Sequence, residues 1–91
     1  MNERAREVLV RAALDGVTQI RDRTRDEHGG RCAAGVLLEH ATGRPLWGGV
    51  DPVRVWKTFG MTATEWTEMI RLNNAGVDFL TIARKFGEVA S

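Results

Sequence analysis

The sequence predicts an all-α fold, a compact orthogonal bundle of four or five short helices. Apolar residues recur at helical spacing in several segments, residues that suit helix N-termini precede most of these segments, and glycine-containing turns separate them. The chain has 91 residues, a length that one hydrophobic core can serve. We therefore treat residues 1–91 as a single helical domain.

The first helix is predicted over residues 3–15. Ala5, Leu9 and Ala12 recur three or four positions apart, which places them on one face. Asn2 is suited to cap the start of this helix, and Gly16 to end it.

Residues 17–30 break the helical pattern. Residues 17–22 are a candidate for one short extended segment, because Val17 and Ile20 are β-branched. Residues 21–27 alternate in charge and contain no apolar side chain, and His-Gly-Gly follows at 28–30. A solvated loop and a frayed helical extension both fit residues 21–30.

A second helix is predicted over residues 31–41, ending at Gly43. Its apolar face would consist of Cys32, Ala33, Val36, Leu37 and, as a further candidate, His40. After a loop rich in glycine, Asp51 and Pro52 have the residue types that favour the N-cap and the first position of a third, short helix.

The last third of the chain predicts a helical hairpin packed on the Cys32 helix. Thr62 and Glu65 form a capping-box pattern, and the helix they begin would run to about Asn74. Gly76 suits the turn, and Asp78 would cap the final helix. The apolar stripe of that helix consists of Phe79, Ile82, Ala83, Phe86 and Ala90.

Composition excludes several classes of protein. With 13 Lys and Arg against 12 Asp and Glu, the net charge is +1, and 43% of residues are hydrophobic. These values exclude a disordered tail, a disulfide scaffold and a strongly basic nucleic-acid coat. Cys32 is the one cysteine, the N-terminus is charged, and no apolar stretch approaches the roughly 20 residues that span a bilayer. We therefore expect a cytoplasmic protein that does not engage membranes.

The sequence predicts no catalytic residue, no metal site and no cofactor. Hydrolase, P-loop and metalloprotease motifs do not occur. His28, Cys32 and His40 are three candidate metal ligands, whereas a structural zinc site needs four, usually in two close pairs. We therefore expect a protein that is not an enzyme.

Two features bear on nucleic-acid binding. Residues 65–87 resemble the first half of a helix-turn-helix, but a recognition helix would have to begin after Gly87 and the sequence ends at Ser91. Arginines occur at 21, 23, 25 and 31, and their planar groups suit phosphate, yet acidic residues lie between them. These patterns favour a packing hairpin and a solvated loop over a nucleic-acid interface.

Leu46 and Trp47 form an apolar pair in a loop that contains glycine and proline. Trp47 either folds inward as a lid on the core or projects as a contact residue of the kind found at interfaces. The candidate partner-binding residues are Leu46 and Trp47, together with Arg21, Arg23 and Arg25 from the charged loop.

Two stretches of the sequence carry motifs. Residues 32–37 read Cys-Ala-Ala-Gly-Val-Leu, and residues 72–83 read Leu-Asn-Asn-Ala-Gly-Val-Asp-Phe-Leu-Thr-Ile-Ala. They resemble the Cys-x-x-Gly-x-Leu helix and the Leu-Asn-Asp-x-Gly-x-Ser-Phe-x-x-Ile-Ala ending of a family of small phage- and prophage-encoded proteins that has no assigned activity. The resemblance implies a mobile element as context. Each matching residue also has a structural explanation: Gly35 permits close helix approach, Cys32 fills a small core position, and Asn73 and Asn74 bond backbone groups in a tight turn.

Accessory proteins of mobile elements commonly bind a host protein, as inhibitors or anti-defence factors. We therefore expect a small non-enzymatic binding module that engages a host protein or associates with itself, in the host cytoplasm if it is phage-encoded. One alternative is a nucleic-acid-binding protein that uses the arginines at 21–31. The other is a sponge for a small molecule or nucleotide.

Overall fold

The computed structural model describes residues 1–44 and 46–88, and this part of the chain forms five α-helices. They are α1 (Glu3–Leu14), α2 (Ala33–Thr42), α3 (Pro52–Thr58), α4 (Ala63–Asn74) and α5 (Phe79–Glu88). The radius of gyration is 11.8 Å, close to the roughly 12 Å expected for a compact chain of this length. The predicted all-α compact bundle of short helices is confirmed.

Helix α2 is the centre of the bundle and contacts α1, α3 and α4. Residues 33–38 are all buried, and Leu37 and Leu38 are fully inaccessible. A helix that is apolar on every side is one that other elements surround. The single apolar stripe predicted for this helix was therefore too narrow, since Ala34 and Leu38 are buried as well.

The predicted start of α2 was also wrong. The helix begins at Ala33, not at Arg31, and Cys32 is its N-cap, with Sγ accepting a hydrogen bond from the Gly35 N–H at 3.3 Å. His40 does not join the apolar face: it is exposed, and its ring centroid lies 6.2 Å from that of Phe59.

Helices α1 and α5 form the most extensive helix pair of the bundle. Helix α1 contributes the buried residues Ala5, Leu9 and Ala12, as its spacing predicted. The buried residues of α5 are Phe79, Ile82, Ala83 and Phe86. They confirm the predicted stripe up to Phe86, and Ala90 lies outside the described residues.

The caps predicted from sequence are all present. The side chains of Asn2, Asp51 and Asp78 accept backbone N–H groups two or three residues ahead, at 2.7–3.0 Å. Thr62 and Glu65 bond each other's backbone N–H, at 3.1 and 2.9 Å, which completes the capping box of α4. Helix boundaries in this chain are therefore set largely by local side chains.

Residues 17–31 are a loop, so the helical extension considered for residues 21–30 is wrong. The extended segment near 17–22 is reduced to one parallel bridge between Gln19 and Arg31, and Arg25 forms an antiparallel bridge with the same Arg31. The Ile20 N–H donates to the Arg31 carbonyl at 3.1 Å, and the Arg31 N–H donates to the Thr18 carbonyl at 2.9 Å. The loop therefore folds back on itself just before α2 begins.

None of the helices in residues 1–44 and 46–88 combines the length and apolar content that crossing a bilayer requires.

Candidate contact surface

Asn73 holds the loop of residues 17–31 against the bundle. Its side chain is 1% exposed. Oδ1 accepts hydrogen bonds from the Ala33 N–H at 3.0 Å and the Gln19 amide at 2.8 Å, and Nδ2 donates to the Ile20 carbonyl at 2.7 Å. Asn73 was expected to bond backbone groups in a tight turn. It does bond two backbone groups, but these belong to the loop and to the start of α2, not to the α4–α5 turn.

The neighbouring Asn74 fixes the tip of the same loop. Its Oδ1 accepts a hydrogen bond from the Asp22 N–H at 3.0 Å. Asp22 has φ of 64°, a left-handed conformation that Asp tolerates better than most residues. The loop thus has a defined shape at the position between Arg21 and Arg23.

Gly35 allows the loop backbone, not another helix, to approach α2. A Cβ built on Gly35 would lie 2.0 Å from the Thr24 carbonyl oxygen. The expected close approach is therefore real, but its partner was wrongly predicted. Arg21 lies at a different place, over the turn between α4 and α5, where its Nη2 is 2.8 Å from a Cβ built on Gly76.

Trp47 folds inward onto the core, the first of the two roles considered for it. It is half-buried, and its ring meets Trp66 edge-on, with centroids 5.9 Å apart and planes at 78°. Its neighbour Leu46 is 38% exposed. The tryptophan therefore packs on the core while the leucine beside it reaches solvent.

A cavity of about 270 Å³ lies between Trp47 and the tip of the charged loop. Arg23 and Thr24 line it on the loop side, and Ile70 lines it from α4. Cys32 contributes to its wall as well. The structure thus brings Arg23 and Trp47, two of the predicted contact residues, to the rim of one concave site.

Arg23 also lines a second cavity, of about 470 Å³, together with Arg25 and Arg31. Arg31 forms an ion pair with Glu39, in which its Nε lies 2.7 Å from a carboxylate oxygen. Arg21, Arg23 and Arg25 are exposed, and none of them forms an ion pair with another described residue. These three arginines therefore present their charge to solvent.

Two acidic residues of the loop lie near these arginines, and they differ: Asp22 lines the 270 Å³ cavity beside Arg23, whereas Asp26 is bonded by backbone groups. The Asp26 carboxylate accepts hydrogen bonds from the backbone N–H groups of Gly30, at 2.7 Å, and His28, at 3.0 Å. The bond from Gly30 is the main reason why the pKa of Asp26 lies below its ordinary value, and nearby His28 and Arg23 lower it further. Asp26 thus serves chiefly to shape the turn.

Burial raises the pKa of the Cys32 thiol. The thiolate is the nucleophilic form of cysteine, so this environment favours the inert, protonated thiol. Cys32 is buried, whereas His28 is exposed on the loop. Within residues 1–44 and 46–88, no three His, Cys, Asp or Glu side chains are grouped as metal ligands would be.

The predicted contact residues thus occupy related but different places. Arg23 and Trp47 line the 270 Å³ cavity, and Leu46 is the exposed neighbour of Trp47. Arg25 lies by the second cavity, and Arg21 lies over the α4–α5 turn. Sequence reasoning missed Ile70 and Asn74 as lining residues. The Asn-Asn pair before Gly76 was the available signal, but nothing local to it indicated which loop it would hold.

Comparison with known proteins gives no match to this chain: no family model fits it, and neither a curated protein sequence nor a solved structure is significantly similar to it.

Proposed function

We propose that the protein is a non-enzymatic binding module of the mobile-element type, which docks a segment of a host protein on a contact surface formed by Arg21, Arg23, Arg25, Leu46 and Trp47. The observation that supports this proposal is the 270 Å³ cavity, which Arg23 and Trp47 line together. An apolar cavity beside a solvent-exposed positive charge suits a side chain anchored by burial and oriented by charge.

Charge and shape define the partner segment. One apolar side chain would enter the cavity against Trp47 and Ile70, which line it. Acidic residues on either side of that anchor would pair with Arg23 and its neighbours, because an arginine fork bonds a carboxylate with two donors. We assign the partner segment to a host protein because of the resemblance to phage-encoded proteins. A second copy of this chain is the competing partner.

Selection of displayed random peptides on the immobilised protein tests this proposal. We expect the selected peptides to carry an apolar residue flanked by Asp or Glu. Arg23→Glu should weaken the binding of the best peptide by about tenfold or more, the equivalent of one good charge-assisted contact. Arg4→Glu makes the same charge change on an exposed arginine of α1 and should leave the affinity within about twofold.

Trp47→Ala needs its melting temperature measured in parallel, because Trp47 also packs on Trp66. Leu46→Asp avoids this complication, since Leu46 is partly exposed, and it should weaken peptide binding without changing the fold. Equal effects of Arg23→Glu and Arg4→Glu, or selected peptides with no acidic residues, would contradict the proposal.

Nucleic-acid binding through the arginines is the competing function, favoured only by the exposure of Arg21, Arg23 and Arg25. Binding to phosphates weakens steeply with salt, because each contact releases counterions. A gel shift with a short DNA duplex at low salt that Arg23→Glu abolishes would support this function instead. No shift at low salt would exclude it.

A further inference from the structure

A third cavity, of about 440 Å³, lies between the end of α2 and helix α3. Thr42 belongs to its α2 side, Arg54 to its α3 side, and Arg44, Gly48 and Gly49 belong to the loop that joins the two helices. The contact surface described above contributes none of the residues that line this cavity. A pocket of this size falls within the roughly 300–1,000 Å³ of small-molecule sites.

Two guanidinium groups provide the charge of this cavity. Arg44 Nη2 donates a hydrogen bond to the Gly48 carbonyl at 3.2 Å, which holds the arginine across the loop, and no other described residue bonds its guanidinium. Among the described residues, the Arg54 side chain has neither a hydrogen-bond partner nor an ion-pair partner. Both arginines are exposed, so that an anion can reach them.

The loop adds backbone donors to these charges. Within the described part of the chain, the N–H groups of Gly48 and Gly49 donate no hydrogen bond, whereas the Val50 N–H donates to the Trp47 carbonyl at 2.9 Å. Gly49 has φ of 74°. A Cβ built on either glycine would meet nothing within 4 Å, so open space lies next to both. Successive backbone N–H groups beside a left-handed residue form a concave donor site that anions occupy.

Of the described residues that line this cavity, Asp51 is the one that is acidic, and it leaves the two arginines in excess. Its Oδ1 accepts the Val53 N–H at 3.0 Å and thereby caps α3. The hydroxyls of Thr42 and Thr58 donate to the carbonyls of Leu38 and Arg54, at 2.8 and 2.9 Å. Among the described residues, the donors left for a ligand are therefore the two arginines and the two glycine N–H groups.

We propose that this cavity binds the phosphate group of a small phosphorylated molecule. Arginine forks suit the tetrahedral oxygens of a phosphate, and each can bond two of them. The glycine N–H groups would bond the same group from the loop side, and the remaining volume would hold the organic part of the ligand. This proposal concerns a separate site and does not depend on the protein-binding function.

A ¹H–¹⁵N NMR titration of the full chain tests the proposal, with AMP and ribose 5-phosphate as probes and inorganic phosphate as a reference. Saturable shifts of the Gly48 and Gly49 amide signals are expected with both organic phosphates. Tighter binding of AMP indicates a nucleotide site, and equal binding indicates a sugar-phosphate site. Binding of both organic probes no tighter than that of inorganic phosphate would overturn the proposal.

Variants make the assignment specific. Arg54→Gln and Arg44→Gln should each weaken the binding of the better probe by about tenfold or more, the usual effect of losing a charge-assisted bond. Arg4→Gln removes an arginine of α1 and should leave the binding unchanged. A spectrum that keeps its dispersion shows that each variant is folded. Weakening by Arg4→Gln equal to that by Arg54→Gln, or no shift at Gly48 and Gly49, would overturn the proposal.

Discussion

Asn73 is the residue at which a single substitution tests most of the structural reasoning. In Asn73→Ala, the N–H of Ala33 and the carbonyl of Ile20 lose their side-chain partner, and Ala33 is fully buried. Leaving a buried polar group without a partner costs about 1–3 kcal/mol. Gln19 keeps its bond to the Val77 carbonyl. The buried Ala33 N–H therefore carries most of the cost and the partly buried Ile20 carbonyl less, in total about 3 kcal/mol.

That loss is large for a domain of this size, whose total stability should be roughly 5–14 kcal/mol. Thermal unfolding followed by circular dichroism should show a melting temperature lowered by more than about 10 °C. Asn74→Ala is the matched control, because Asn74 bonds one backbone N–H of the loop, that of Asp22. Loss of this bond should cost about 1 kcal/mol of stability. Equal melting temperatures for the two variants would refute the role given to Asn73.

Two further predictions concern the approach of the loop to α2 and the cap of α4. Gly35→Ala should destabilise the fold by about 2 kcal/mol or more, although alanine favours helices, because its Cβ would overlap the Thr24 carbonyl. Gly48→Ala is the control and should change stability by less than about 0.5 kcal/mol, because a Cβ on Gly48 would meet nothing within 4 Å. Similar urea midpoints for Gly35→Ala and Gly48→Ala would contradict the close packing of Gly35 on Thr24. The Thr62 N–H donates a hydrogen bond to the Glu65 carboxylate and lowers the pKa of Glu65 below 4.5. The ionised Glu65 side chain therefore stabilises the fold above that value. This contribution disappears as the pH falls through the folded-state pKa. Glu65→Gln should therefore cost about 0.5 kcal/mol at neutral pH and progressively less as the pH falls through the folded-state pKa, and a cost independent of pH would show that ionisation is irrelevant.

The helices could be predicted because their signals are local. Asn2, Asp51, Thr62 and Asp78 each bond a backbone group within three residues of themselves. Such a bond depends on nearby sequence alone, so the residue types and their spacing were sufficient to place the helix starts. The exception was α2, where Cys32, an unusual residue type for an N-cap, takes that position.

The loop and the site could not be predicted in the same way. The bonds that hold the loop join Asn73 to Gln19 and Ala33, which are 54 and 40 positions away along the chain. Helical periodicity relates only residues within about two turns of each other. For the same reason, the sequence could name Trp47 as a contact or core residue but could not show that Trp66 would meet its ring.

The pairing of α1 with α5 has a consequence for biosynthesis. Helix α1 leaves the ribosome before the other described helices, and its most extensive contacts are with the last of them, α5. Until α5 has also emerged, Ala5, Leu9 and Ala12 lack much of the surface that buries them. A nascent chain that ends before α5 therefore exposes an apolar stripe that chaperones can bind, and stalled or truncated products should be cleared by proteases sooner than the full chain.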